Sequence, residues 1–365
     1  MKTLHQIAIS SFLFVLLTLS FQIKAQSLQI DVAASSNIFY SGRISDYPSI
    51  PMANCTSTGA GVTYLSDGTY PPHLALPQGM RSVQFYSYNT ATVNYQAYGN
   101  VNSADGGGAN VPNTATIVHD PTGAFDGLIM RNRIGMLTAV FLDNNEPVKT
   151  GVANTIEYTA ADMNAASPVY SLGQTFFMGD GTVEDMTNNP SAQRQTFLVP
   201  DGATRIFLGF ADAEWVSGDN RCYADNIGTI HAKVMMMVRD DVGQVQAGVG
   251  GAAVSDVRSN DYMDSAISSS AYLVQKPGWP SGITLDINTG QVNVSASVVA
   301  GLYENMEYDL CDTTTSPHSC AYAYVTVTVK AAAVNIPTTG RMGLLVLVLM
   351  LFGAACFFTK LNAKS

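Results

Sequence analysis

Charged residues are scarce in this chain of 365 residues, and basic residues are the scarcer of the two signs. Charged side chains make up 13% of the sequence, against roughly 25% in an average soluble domain. Because 47% of the residues are apolar, the composition is opposite to that of disordered proteins, and we expect most of the chain to fold. Only 18 basic residues stand against 28 acidic ones, so the chain lacks the positive face that nucleic-acid binding needs.

Sequence motifs for catalysis are also missing. The chain contains neither the Gly-x-Ser-x-Gly motif of a serine nucleophile nor the zinc-binding His-Glu-x-x-His motif. The glycine run at 106–108 lacks the Lys-Ser or Lys-Thr pair of a phosphate-binding loop, and it predicts a flexible hairpin tip instead. We therefore expect a protein that is not an enzyme.

The two ends of the sequence have the patterns of export and membrane insertion. Residues 1–25 combine a basic start, an apolar run and the small residue Ala25 at the cleavage position, which predicts a secretory signal peptide. Residues 342–358 are uncharged and precede Lys360 and Lys364, which predicts a transmembrane helix with a cytoplasmic C-terminus. A buried core helix is the alternative at each end. Both predictions place the mature protein outside the cytoplasm.

Cysteine usage agrees with export. Four of the five cysteines lie between the two ends, and an even number in an oxidising compartment indicates disulfide bonds. Cys311 and Cys320 enclose a turn-rich stretch between two strand-like runs, which predicts a local bond. A bond between Cys55 and Cys222 then follows by elimination, with two unbonded buried thiols as the alternative.

The apolar residues of the central part alternate with a period of two. This pattern, broken by Gly, Asn, Asp and Pro, predicts an all-β protein, and the turn spacing favours β-sandwiches over a barrel. A stretch of small residues at 247–253 predicts a linker between two domains. We thus expect an N-terminal extension at 26–80, a first sandwich at 81–246, a second at 247–332 and a tail at 333–365.

The tail resembles a family of bacterial sorting signals. Ile336, Pro337 and Thr338, the apolar helix and the terminal lysines resemble the IPTL-type C-terminal signals of Gram-negative bacteria, which are similar to PEP-CTERM signals and are thought to be processed by exosortases. The Thr-Gly-Arg at 339–341 departs from the Leu, Ser and Trp-containing turn usual there. The resemblance implies a transient anchor cut by a membrane processing enzyme, and an ordinary membrane anchor is the alternative.

The second sandwich also resembles a known group. The strand-like segments 282–294, 301–311 and 320–329 resemble the Ig-like or cadherin-like repeats of bacterial surface proteins, which usually act as spacers. Asn288-Thr289-Gly290 predicts a hairpin turn between two alternating strands. The aspartates of this segment are either calcium ligands or turn formers, the latter being the more common role: Asp256, Asp261, Asp264 and Asp286.

One loop of the first sandwich has the composition of a calcium site. Calcium prefers several oxygen ligands from closely spaced loop residues, and Asp212 at one strand end with Asp225 and Asn226 before the next strand supplies them. A purely structural Asp-Asn turn is the alternative. Trp215, in the loop between them, is placed either to stack on a sugar ring or to pack at the base of the loop.

The same loop carries the third resemblance. Residues 196–212 and 222–234, with 124–135 upstream, resemble the C-terminal half of PA-I-type galactose-binding lectins and related galactose-binding-like β-sandwiches, over about 90–236 of this chain. The resemblance implies Ca²⁺ held by Asp212, Asp225, Asn226 and the carbonyls of Cys222 and Tyr98. It also implies sugar contacts from Asp212 and Asp225. The loop between Asp212 and Cys222, which contains Trp215, is longer than in the lectins.

Two function classes remain at this point. The first is an exported surface or extracellular-matrix protein with a calcium-dependent carbohydrate-binding module for polysaccharide. The second is a structural spacer or adhesin that has a calcium-stiffened loop and no sugar ligand.

Overall fold

The computed structural model of the chain is all-β, as the period-two pattern predicts. It describes residues 28–43, 68–88, 93–95, 100–107, 115–120, 123–131, 133–148, 155–183, 189–212, 217–219, 223, 226–268 and 270–332. In this part of the chain, no helix is long and apolar enough to cross a membrane. The predicted signal peptide and the predicted tail helix both lie outside the described residues.

Among the described residues, strands account for most of the regular structure, and the helical elements are single turns. The helical turns are α1 (Ala160–Met163) and the 3₁₀ turns Ile38–Tyr40 and Val257–Asn260. The strands are β1 (Gln29–Ala33), β2 (His73–Ala75), β3 (Met80–Tyr88), β4 (Val93–Tyr95), β5 (Asn100–Asn102), β6 (Ala115–His119), β7 (Gly127–Arg131), β8 (Thr138–Leu142), β9 (Thr155–Tyr158), β10 (Thr175–Phe177), β11 (Phe197–Leu198), β12 (Arg205–Gly209), β13 (Ser217–Asp219), β14 (Asn226–Ile227), β15 (Thr229–Arg239), β16 (Asp241–Gln246), β17 (Gly251–Val254), β18 (Tyr262–Met263), β19 (Tyr272–Gln275), β20 (Ile283–Leu285), β21 (Val292–Val294), β22 (Gly301–Asp312) and β23 (Ser319–Lys330).

The N-terminal part is organised around β15. The central sheet has the order β1-β15-β3-β11, and β18 also pairs with β15. A second sheet has the order β10-β8-β12-β2, and its pairs are all antiparallel. Two smaller sheets, β13-β6-β7-β9 and β14-β4-β5, complete this part among the described residues. Buried side chains from the first two sheets form one hydrophobic core, with Val32, Phe85, Phe141 and Phe207 among its members.

The C-terminal part contains a long hairpin. Strands β22 and β23 pair over their full length in the sheet β16-β23-β22-β19, and β17-β21-β20 forms a second sheet. Along β23 every second residue is buried, which is the alternation expected of a strand with one face on a core. The turn predicted at Asn288-Thr289-Gly290 is confirmed, because Gly290 donates its backbone N–H to Asp286 O at 2.8 Å between antiparallel β20 and β21.

Strand β15 belongs to both hydrophobic cores. Val234 and Met237 pack in the core of the N-terminal part, whereas Met235, Met236 and Val238 pack in the core of the C-terminal part. A register irregularity against β3 lies between Val234 and Met236. A strand that is buried on both faces has a continuous apolar run, and this explains the loss of alternation at residues 234–238.

The described residues of the expected N-terminal extension at 26–80 pack in the first core, because β1 pairs with β15, β2 pairs with β12, and Phe39 is fully buried there. One expectation, the linker, needs correction. Part of the expected linker at 247–253 is strand β17, paired with β21. At the glycine run 106–108, for which a flexible hairpin tip is predicted, Gly106 lies in a tight turn: its N–H donates to Ser103 O at 2.9 Å, its φ is +77°, and a Cβ there would meet Ile134 O at 2.6 Å.

Candidate functional site

Two of the residues predicted to hold calcium lie side by side. Asp212 follows the end of β12, and Asn226 begins β14, immediately before β15. The Asn226 amide nitrogen Nδ2 donates a hydrogen bond to Asp212 Oδ2 at 2.9 Å. Both residues are buried, with 6% of Asp212 and 7% of Asn226 exposed. Strands that are separated in sequence thus bring a carboxylate and a carboxamide together in the interior.

The Asn226 side chain also contacts the N-terminal strand region. Its Nδ2 donates to Ala34 O at 3.3 Å, just beyond the end of β1. Its carbonyl oxygen Oδ1 is buried and accepts no hydrogen bond from any of the described residues. An unsatisfied buried amide oxygen costs free energy, and such groups call for a specific explanation. This oxygen lies on the same side chain that contacts Asp212, so the pair offers an unused ligand oxygen beside a carboxylate.

Tyr223 supports Asp212 through its hydroxyl group, a role that the sequence did not reveal. Its hydroxyl accepts a hydrogen bond from the Asp212 backbone N–H at 3.0 Å. The same hydroxyl lies 2.9 Å from Phe210 O and 3.2 Å from Asn37 Oδ1. Tyr223 is 1% exposed, so these contacts lie in the interior of the protein. Asn37 in turn accepts from the Phe39 backbone N–H at 3.0 Å, which ties the site to the 3₁₀ turn Ile38–Tyr40.

Four other residues predicted for this site lie outside the described part of the chain: Tyr98, Trp215, Cys222 and Asp225. The register of the small sheet nevertheless places one of their chain neighbours. Strand β14 pairs with β4, and the partner of Asn226 is Tyr95, three residues before Tyr98. Cys55, and with it the predicted bond to Cys222, also falls outside the described residues.

The oxygen atoms at this site are of the types that bind a hard cation. Asp212 supplies two carboxylate oxygens and Asn226 one carboxamide oxygen, and these are the ligand types that Ca²⁺ takes. No thiol or imidazole belongs to the described part of the cluster, so the set does not resemble a zinc or copper site. The residues present therefore fit calcium, and the orphaned Oδ1 of Asn226 is the structural observation behind that fit.

The predicted bond between Cys311 and Cys320 is confirmed. The two cysteines are direct partners in the β22–β23 hairpin, and they form a disulfide with their Cα atoms 4.0 Å apart. Asp309 lies next to them, and the three residues are a cluster of metal-ligand types in the described part of the chain. Because both sulfurs are bonded to each other, this cluster lacks thiolates to hold a metal.

Three of the four aspartates singled out in the second region act as turn formers in the structure, and the fourth, Asp261, accepts a hydrogen bond from the Arg239 backbone N–H. Asp256 accepts from the Arg258 backbone N–H at 3.0 Å and caps the 3₁₀ turn Val257–Asn260. Asp286 accepts from the Asn288 N–H at 2.9 Å in the β20–β21 turn. Asp264 pairs with Lys233 Nζ at 2.9 Å and accepts from the Ala266 N–H at 3.0 Å. These contacts support the structural alternative for this group of acids.

No protein-family model matches the chain, and no curated protein matches it.

Proposed function

We propose that this chain is an exported, non-catalytic surface protein that binds carbohydrate with the help of Ca²⁺ at Asp212 and Asn226. Residues 1–25 act as a signal peptide, and residues 333–365 hold the protein at the membrane until an exosortase-like enzyme cuts near Ile336, Pro337 and Thr338. The N-terminal part folds as a galactose-binding-like β-sandwich and the C-terminal part as an Ig-like or cadherin-like spacer. The ligand class is polysaccharide of the cell surface or extracellular matrix.

The buried pair of Asp212 and Asn226 supports the proposed binding of calcium. Their side chains are in contact, and Asn226 Oδ1 lacks a hydrogen-bond donor. A bound Ca²⁺ would use this oxygen and the adjacent carboxylate, and the Cys222 and Tyr98 carbonyls with Asp225 would complete the ligand set. In this proposal the ion orders the loop that contains Trp215, and the loop contacts the sugar.

Calcium binding at Asp212 and Asn226 predicts that the melting temperature of the protein depends on Ca²⁺. A ligand that binds only the folded state stabilises it by about 2.7 kcal/mol at 100 times its dissociation constant. We expect Ca²⁺ to raise the melting temperature of the full chain and a chelator to reverse the increase. Asp212→Asn should abolish the response, whereas the matched control Asp201→Asn should keep it, because the Asp201 side chain is 99% exposed. A full response in Asp212→Asn would contradict the proposed site.

The carbohydrate step is tested separately with a glycan array probed in Ca²⁺ and in chelator. Binding that disappears in chelator and in Asp212→Asn supports the proposal. A calcium-dependent melting temperature without binding to any glycan would favour the second function class, a structural spacer or adhesin. One contact favours that class: Asn226 also bonds Ala34 O, so the site links β14 to the chain after β1 whether or not sugar binds.

A further inference from the structure

A polar cleft lies at the seam between the two halves of the molecule. It has a volume of about 290 Å³ and lies between residues 166–167 and 193–196 on one side and the outward face of the β22–β23 hairpin on the other. Glu307 and Tyr322 line it from the hairpin, and Ser167 and Gln193 line it from the opposite segment. Small-molecule sites in proteins are concave and range from about 300 to 1,000 Å³, so this cleft has room for one sugar ring.

Side chains that are already bonded to each other hold the cleft walls together. Arg194 and Asp312 form a buried ion pair across the seam. Thr196 donates its hydroxyl to Cys320 O at 2.8 Å, beside the Cys311–Cys320 disulfide. These contacts fix one wall against the other, and a fixed site loses less conformational entropy when a ligand binds.

The cations of the cleft are paired within the protein. Lys276 Nζ lies 2.6 Å from Asp309 Oδ2, and this hydrogen bond, despite partial desolvation, raises the pKa of Lys276. Arg194 is paired with Asp312. An anionic ligand would have to compete with these carboxylates for the cations, and it would lie beside the Glu307 carboxylate as well. The charge arrangement therefore disfavours an anionic ligand, and the hydrogen-bonding groups of the cleft decide between the other ligand classes.

Four groups in the cleft have unused hydrogen-bonding capacity. Among the described residues, none of these groups makes a side-chain hydrogen bond: the Ser167 hydroxyl, the Gln193 amide, the Glu307 carboxylate and the Tyr322 hydroxyl. Burial raises the pKa of Tyr322, so its hydroxyl stays protonated and can donate. Together they offer both donors and acceptors on two opposed walls, which matches a ligand that carries several hydroxyl groups.

We propose that this cleft binds one ring of a neutral sugar, independently of calcium. Glu307 and Gln193 accept hydrogen bonds from sugar hydroxyls, and Tyr322 and Ser167 donate to them. None of these residues belongs to the Asp212–Asn226 site, so the cleft is a second carbohydrate contact beyond the proposed function. Two separate contacts on one chain would raise the avidity for a polysaccharide that reaches both.

Saturation-transfer NMR of the full chain tests the cleft. The probes are D-glucose, D-galactose and D-mannose at millimolar concentration in a chelating buffer, with D-glucuronate as the charged comparison. We expect transfer to at least one neutral hexose and weaker transfer to glucuronate. Glu307→Gln and Tyr322→Phe should each raise the dissociation constant about tenfold, because each removes a hydrogen bond or its charge. Glu304→Gln on the same strand, exposed and outside the cleft, should leave it unchanged.

The outcomes separate this cleft from the calcium site. The proposal is supported if the Asp212→Asn protein still binds the hexose in chelator. The cleft variants should also keep their melting temperatures, because their effect is on binding and not on folding. No transfer to any hexose in chelator overturns it, even where calcium-dependent glycan binding is found. Equal weakening by Glu304→Gln, or transfer to glucuronate alone, overturns it as well.

Discussion

Tyr223 is the residue on which the candidate calcium site rests. Its hydroxyl satisfies the buried Asp212 N–H and lies 2.9 Å from Phe210 O. Tyr223→Phe leaves the ring in place and removes this hydrogen-bond partner, and an unsatisfied buried group costs about 1–3 kcal/mol. We expect urea unfolding to show a loss of that size. Tyr70→Phe should have little effect because Tyr70 is 54% exposed, and an equal loss in both variants would contradict this role for Tyr223.

A buried acidic cluster lies where β15 passes into β16. Asp241 is 5% exposed, and the Tyr308 hydroxyl donates to its Oδ2 at 2.9 Å. Asp261 Oδ1 accepts from the Arg239 backbone N–H at 2.9 Å. Burial raises the pKa of Asp241 to about 7 and that of Asp261 to about 8, and the carboxylate of Asp240 contributes to the shift at Asp241. The folded protein therefore holds protons here that the unfolded chain releases.

This cluster predicts a stability that falls as the pH rises. Both folded pKa values lie above the unfolded value of about 3.9, so the stabilisation is fully present below pH ~4 and is lost as the pH passes through 7 and 8. The slope reaches about 1.4 kcal/mol per pH unit for each retained proton. We expect urea midpoints to fall between about pH 4 and pH 8 and to level off above that range. Asp261→Asn should flatten the decline and exposed Asp201→Asn should not; parallel curves for all three proteins would refute the assignment.

At the residue scale, sequence reasoning predicted that Asp212 and Asn226 lie together and missed the residue that supports them. Asp212 and Asn226 flank one loop, so their carboxylate and amide were visible as a calcium-type pattern in a short window. Tyr223 lies in the same motif, but its partner Asn37 is 186 residues away. Such a contact depends on how β1 and the 3₁₀ turn pack against β12, and neither periodicity nor composition contains that information.

At the scale of elements, the β22–β23 hairpin carries a disulfide whose contribution is measurable. Cys311 and Cys320 are nine residues apart, and closing a short loop in the unfolded chain contributes about 2–3 kcal/mol in the chain-entropy description. We expect the double variant Cys311→Ala and Cys320→Ala to lose that free energy of unfolding. Non-reducing peptide mapping of the exported protein provides the companion measurement. Free thiols at both positions, or an unchanged stability of the double variant, would count against the bond.

The strands were predictable from the sequence where apolar and polar residues alternate over many positions, and they were not predictable where the alternation is short. β23 alternates over twelve residues, and the period-two pattern identifies it without ambiguity. β1 has five residues and β2 three, in a region rich in Ser, Pro and Gly, so their pairing with β15 and β12 was missed. The small residues of β17 favoured a linker because a strand of Gly and Ala lacks the β-branched side chains that mark most strands.

At the scale of the whole molecule, the two hydrophobic cores share a strand. Met237 of β15 packs in the first core, and Met236 packs in the second. The seam is reinforced by the Arg194–Asp312 ion pair and by Ser316, whose N–H donates to Ser191 O at 2.9 Å. A cavity in one core would then loosen β15 and so affect the other. The two parts should unfold as one cooperative unit, unlike spacer modules joined by a flexible linker.

Leu310→Ala tests that cooperativity. Leu310 is fully buried in the second core, and truncation of a buried leucine costs about 2–5 kcal/mol. With a shared β15, hydrogen exchange by mass spectrometry should show equal loss of protection in β3 and β8 of the first core and in β22 of the second. Leu302→Ala on the same strand is the control, because Leu302 is 59% exposed and its truncation leaves no cavity. Loss of protection confined to β16–β23 would mean that the cores open independently and that β15 does not couple them.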